Sequence, residues 1–167
     1  MMPRNDGFHW RALVGFELCW FGLVYFRQLA LLPVLLYLIY GLWQLHKEAR
    51  LAVVLIFLCG IATDLLLLRL NVIQFSDTAL MPLWFVLIWA VFALAAVEFM
   101  AKMLTKPWLA AILGGSGGPL SYWGGAALSD GALQFPLQLY SAIVLIVVWA
   151  LLAVVLGQTR RWYVKTV

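Results

Sequence analysis

Two of the seven acidic residues in this 167-residue chain, Glu17 and Asp64, sit well inside apolar runs. An ionisable side chain embedded in hydrocarbon is costly, so it faces a bundle interior or a wet cavity and marks a candidate site. Glu17 lies near the middle of its run with no evident basic partner at its depth, which points to a polar cavity that holds a headgroup or polar solute. Asp64 lies past the middle of another run, and Arg27 and Arg69 stand near the same end. Two readings stay open for it: a buried ion pair that sets helix register, or a share, with Asp130 and an arginine, in an outward-facing polar site. Glu98 precedes Lys102 by four residues, the favourable order for a surface ion pair on a helix.

Conventional catalytic chemistry finds little support. His9 and His46 have no metal-ligand spacing to Glu17, Glu48 or each other, and no His-Glu-x-x-His pattern occurs. Ser116 and Ser121 lie among glycines, but no strand leads into a nucleophile elbow and no histidine is placed to activate them. The cysteines, Cys19 and Cys59, fall in separate apolar runs and read as packing residues.

The segment GGSGGPLSYWGGA, Gly114 to Ala126, holds six of the 13 glycines of the chain. Residues that disfavour helix are tolerated in lipid only where protein or water satisfies the backbone they free. One possibility is a continuous helix in which Gly114, Gly118, Ser121 or Tyr122, Gly125 and Ser129 form a small-residue stripe that admits a neighbouring helix. The other is a Gly-interrupted helix, restarting at Pro119, whose free amides and dipole face an anion. Interrupted spans of that kind mark transporter sites. The candidate ligand-binding set is Glu17, Arg27, Asp64, Arg69, Gly117, Gly118, Ser121, Tyr122, Trp123 and Asp130, with no cofactor and no metal. Trp20, Trp89, Trp123 and Trp149 lie deep enough in the runs to line a pocket.

These residues must be positioned by helices. Hydrophobic residues make up 66% of the chain and charged residues 11%, against about a quarter charged in soluble proteins. Six apolar runs, at about 10–27, 29–45, 51–70, 80–100, 107–129 and 136–156, each approach the roughly 20 residues that cross a bilayer as a helix. They predict an all-α polytopic bundle of six transmembrane helices in a single membrane domain, 1–167. Ser76, Asp77 or Thr78 is expected to cap the fourth helix. With the N-terminus inside, nine basic residues fall on the cytoplasmic side and only Arg27 and Arg69 outside, so both termini are expected in the cytoplasm. The net charge of +4 then reflects topology and attraction to anionic headgroups rather than nucleic-acid binding.

At GGPLSYWGGAAL, Gly117 to Leu128, the chain resembles a small uncharacterised bacterial inner-membrane family, domain-of-unknown-function family 2878. That resemblance implies a lipid-related role, its members being encoded near lipid-modifying enzymes, and it carries over no catalytic residues. The leading expectation is an inner-membrane protein that binds or moves a membrane lipid or other amphipathic small molecule, or assists an enzyme that modifies one. The alternative is a substrate-binding subunit of a solute uptake transporter, similar in size and helix number to the S-components of vitamin uptake systems.

Overall fold

The computed structural model describes residues 10–164, which leaves Arg4, His9 and Lys165 outside the described residues. Helix α1 (Trp10–Phe26) passes through a 3-10 turn (Arg27–Ala30) into α2 (Leu31–Gln44), and α3 (Lys47–Arg69) follows. Helix α4 (Leu83–Ala95) continues through a π-helical turn (Ala96–Met100) into the short α5 (Ala101–Met103). Helices α6 (Pro107–Leu128) and α7 (Leu139–Tyr163) complete the chain.

Counted as unbroken helical runs there are five among the described residues, not the expected six, because no non-helical residue separates the first two apolar runs. The chain nonetheless doubles back between them at Arg27, which has φ +48°. Gly15 lies against the Tyr37 ring and the Arg11 guanidinium sits 5.5 Å from the centre of the Tyr40 ring, so α1 and α2 are antiparallel arms. Four runs are long and apolar enough to cross a membrane: Trp10–Gln44, Lys47–Arg69, Leu83–Met103 and Leu139–Tyr163. Glycine and serine dilute the apolar character of α6, which is not among the four.

The polarity of the bundle is reversed relative to a soluble protein. On α3 the exposed side chains include Leu51, Leu55, Leu58 and Leu66, while Asp64 is fully buried. The core is organised on α4, which buries Trp84, Phe85, Leu87, Trp89, Val91 and Leu94 against its neighbours. At one end of the bundle the loops are braced by a two-residue antiparallel pair, β1 (Gln74–Phe75) with β2 (Leu133–Gln134), a small departure from an all-α chain. Expected capping at α4 is also corrected. The helix begins only at Leu83 after Pro82 and has no side-chain cap, while Ser76 bonds Asp77 and Thr78 accepts from the Leu80 amide. His46 does act as an N-cap: its Nδ1 accepts from the Ala49 amide at 3.3 Å.

The glycine-rich segment is the main correction to the expected architecture. α6 is continuous from Pro107 to Leu128, with Pro119 inside it, so the fifth span is not interrupted and offers no half-helix N-terminus to an anion. Its buried positions Ala110, Gly114, Gly118, Tyr122 and Gly125 recur at three- and four-residue spacing, with Pro119 buried beside Gly118 and Ser129 buried just past the helix end. That stripe faces the antiparallel α7. A Cβ at Gly114 would run into the Trp149 carbonyl and the Ala153 methyl, and one at Gly118 would enter the Trp149 indole. Glycine is needed here for proximity, as in small-residue helix interfaces in membranes.

Gly114→Ala is therefore expected to destabilise the protein by about 1–3 kcal/mol, the usual cost of overpacking, since the obstructing atoms include backbone. Gly117→Ala, where an added methyl meets nothing within 4 Å, is expected to be neutral or stabilising by up to about 1 kcal/mol through lower helix-forming cost. Unfolding in mixed micelles, followed by tryptophan fluorescence, distinguishes the two.

Candidate functional site

Four helices converge around the Asp64 carboxyl group. Trp89 of α4 donates from its indole N–H to Asp64 Oδ2 at 2.6 Å, and Tyr122 of α6 donates from its hydroxyl to Oδ1 at 2.6 Å. Each carboxyl oxygen is thus satisfied by a different helix, which meets the requirement that buried polar groups be hydrogen-bonded. The Trp89 ring stacks on Trp149 of α7, with centroids 5.3 Å apart and planes 6° from parallel. Gly60, one helical turn before Asp64, makes room for the Trp89 ring just as Gly118 makes room for Trp149. The order across the bundle is Gly60, Trp89, Trp149, Gly118, and Phe92 meets both indoles edge-on.

These contacts correct the expected partners of Asp64. Arg27 instead donates to the Ser129 carbonyl at the C-terminal end of α6, a position where a cation complements the helix dipole, and comes within 3.9 Å of Asp77. Arg69 is exposed and lines a separate surface hollow with Asp77 and Thr78. Asp130 is exposed with φ +52° just past the end of α6. No outward polar site combines Asp64, Asp130 and an arginine. Glu98 is corrected as well: its side chain is only 6% exposed and pairs with Arg11 of α1 from within the π-helical turn.

A groove of about 520 Å³ opens beside the aromatic wall, between α1 and α6, with α4, α5 and α7 forming its floor. It collects Glu17, Gly117, Gly118 and Ser121 from the expected set. The remaining walls include Phe16, Trp20, Met100, Met103, Leu113 and Trp149. Because α1 packs Trp20 against Gly124 of α6, the two helices touch at that level and part toward Leu113. Glu17 is exposed along this opening and has no hydrogen-bond or ion-pair partner among the described residues. An inner chamber of about 40 Å³ shares Phe16, Trp20, Phe92, Ser121 and Trp149 with the groove and reaches Trp89 and Tyr122. Groove, chamber and carboxyl cluster are therefore contiguous.

Trp20, Trp89 and Trp149 line the chamber as expected for deep tryptophans, whereas Trp123 is exposed and belongs to neither space. Sequence reasoning missed Gly60, although its place one turn before a buried acid was a usable signal. It also missed Met100 and Met103, which nothing local distinguishes from ordinary packing residues. No group of three or more His, Cys, Asp or Glu residues that could hold a metal comes together among the described residues.

Long apolar helices around a buried carboxyl group, with a largely apolar groove beside it, define a helical membrane protein. The model of the family described as protein of unknown function DUF2878 matches residues 9–155, and the chain belongs to that family. No curated protein and no solved structure matches the chain.

Removing the Tyr122 hydroxyl and the Asp64 carboxyl group should be strongly non-additive. A double-mutant cycle with Tyr122→Phe and Asp64→Leu, measured by unfolding in mixed micelles, is expected to return a coupling of about 0.5–3 kcal/mol. Additive effects would mean that the two groups do not support each other.

Proposed function

We propose that this protein is a multi-pass protein of the bacterial inner membrane that holds a membrane lipid or another amphipathic small molecule in the groove between α1 and α6, to move it or to assist an enzyme that modifies it. The observation that carries this reading is Glu17, an unpartnered carboxyl group on an otherwise largely apolar wall enclosing about 520 Å³. Ser121, on the opposite helix, adds a second polar group. Such a surface suits a molecule with a long apolar body and one hydroxyl or amine that faces Glu17. It suits a small, highly polar solute poorly, because Glu17 and Ser121 are the polar side chains on offer, and this weighs against an uptake-transporter subunit.

In this proposal each arm of the Trp10–Gln44 run crosses separately, so that six helices span the bilayer with both termini in the cytoplasm. Arg11, Lys47, Arg50, Lys102, Lys106, Arg160 and Arg161 gather at the end of the bundle near the helix α2–α3 turn, and Arg27 and Arg69 lie toward the other. That asymmetry supports the orientation through the positive-inside rule. The groove then opens laterally between α1 and α6, where a lipid enters without crossing water.

Two variants test the reading. Leu113→Trp fills the groove from α6, and Glu17→Gln removes its acid. Both should accumulate in the membrane at wild-type levels. A deletion strain is expected to show an altered acyl or headgroup profile that the wild-type gene restores and neither variant does. Full restoration by both, or an unaltered lipid profile in the deletion strain, would refute it.

A further inference from the structure

A second groove, which shares Phe92 and Leu156 with the one that contains Glu17, runs between α3 and α7 and encloses about 340 Å³. Leu51, Leu55, Ile56, Leu152 and Val155 make it apolar, and Trp89 with Gly60 closes its inner end. From Glu48 to Gly60 it follows α3 for ~18 Å at 1.5 Å per residue. That is close to one leaflet's share, ~15 Å, of a ~30 Å hydrocarbon core.

Its mouth is polar and contains an unmet donor. Tyr163 is 5% exposed, yet its hydroxyl has no hydrogen-bond partner among the described residues. Native interiors rarely leave such a group unsatisfied, and a bound acceptor is its ordinary partner. The Thr159 hydroxyl beside it donates to the Leu156 carbonyl. Glu48, the acid on this lining, already takes part in an interaction within the protein. Arg160, Lys47, Arg161 and the exposed Trp162 stand at the same end. An acyl chain, an acceptor carbonyl and an anionic group, in that order along the groove, would answer these three features.

We infer that the α3–α7 groove seats one acyl chain of an anionic phospholipid, with the Tyr163 hydroxyl donating to its ester carbonyl and the basic helix ends receiving its phosphate. The inference is independent of the Glu17 groove and stands or falls without it. Chain burial supplies the bulk of the affinity, since apolar length is what the groove matches. The basic mouth supplies the preference for headgroup charge, as clustered Lys and Arg do at cytoplasmic membrane surfaces.

Native mass spectrometry of the full-length protein in mild detergent tests it, with phosphatidylglycerol, phosphatidylcholine of the same chains and the matching free fatty acid added in turn. Phosphatidylglycerol is expected to be retained at least about fivefold more than phosphatidylcholine, a modest electrostatic preference, and more than the free fatty acid, which is anionic but offers no ester carbonyl to Tyr163. Ala52→Trp, which fills the groove, should lower that retention by about tenfold, and Tyr163→Phe by about two- to tenfold, the range for losing one hydrogen bond. Leu36→Trp, on the exposed face of α2 and on the lining of neither groove, should leave it at the wild-type level. Equal retention of phosphatidylcholine, wild-type retention in Tyr163→Phe, or equal loss in Leu36→Trp and Ala52→Trp would overturn the inference. Tyr163→Phe keeps the test decisive if Ala52→Trp fails to fold, because it removes only the oxygen.

Discussion

A single constraint governs the interior of this bundle: the Asp64 carboxyl group, withdrawn from solvent on α3, must find hydrogen-bond donors inside the protein. Trp89 and Tyr122 provide them, one to each oxygen. Meeting that requirement fixes α4 and α6 relative to α3, because two donors on separate helices have to arrive at opposite sides of one planar group. The large aromatic bodies that carry these donors then need space. Gly60 yields it to Trp89, Trp149 stacks on the far face, and Gly118 yields to Trp149. A polar demand at one residue is thereby converted into close helix packing across the bundle.

The glycines of α6 follow from the same logic. A helix in lipid gains little from hydrophobic burial against its neighbours, so close contact and hydrogen bonding must hold it in place. Gly114 lets the backbone of α7 approach, Gly118 seats the Trp149 indole, and the Asp64 cluster anchors the turn above them. Tight packing on one face of α6 leaves its other face, at Gly117 and Ser121, to border the groove with Glu17. One helix thus serves as both the seam of the bundle and a wall of the candidate site.

A second brace holds the opposite side. The π-helical turn at Ala96–Met100 carries Glu98, which pairs with Arg11 of α1. π-helical turns inside longer helices often occur at functional sites, and here Met100 leaves that turn to line the groove. Arg27 secures the other end of the same region by holding the α1–α2 bend to the Ser129 carbonyl at the C-terminal end of α6. Between these two ties, α1 and α6 meet at Trp20 and Gly124 and separate below, which creates the opening beside Glu17.

Composition and run length alone specified a helical membrane protein, because no other secondary structure lets segments so long and apolar satisfy their backbones in lipid. Glu17 and the glycine-rich stretch each stood out, since a carboxyl group and a run of glycines within apolar segments are expensive features that need shelter, but that Glu17, Gly117, Gly118 and Ser121 border one groove was not legible. Whether α6 broke at its glycines was not legible. That depended on whether a partner helix stood close enough to replace the lost packing, and α7 does. The fate of Asp64 was likewise undecided, because a shared position near one face favoured the arginines while the fold brought an indole and a phenol, 25 and 58 residues away, to within 2.6 Å. Local pattern determines which segments are helices and which residues need shelter; which residues shelter one another is decided only by packing, because donors on different helices meet through the arrangement of the whole bundle.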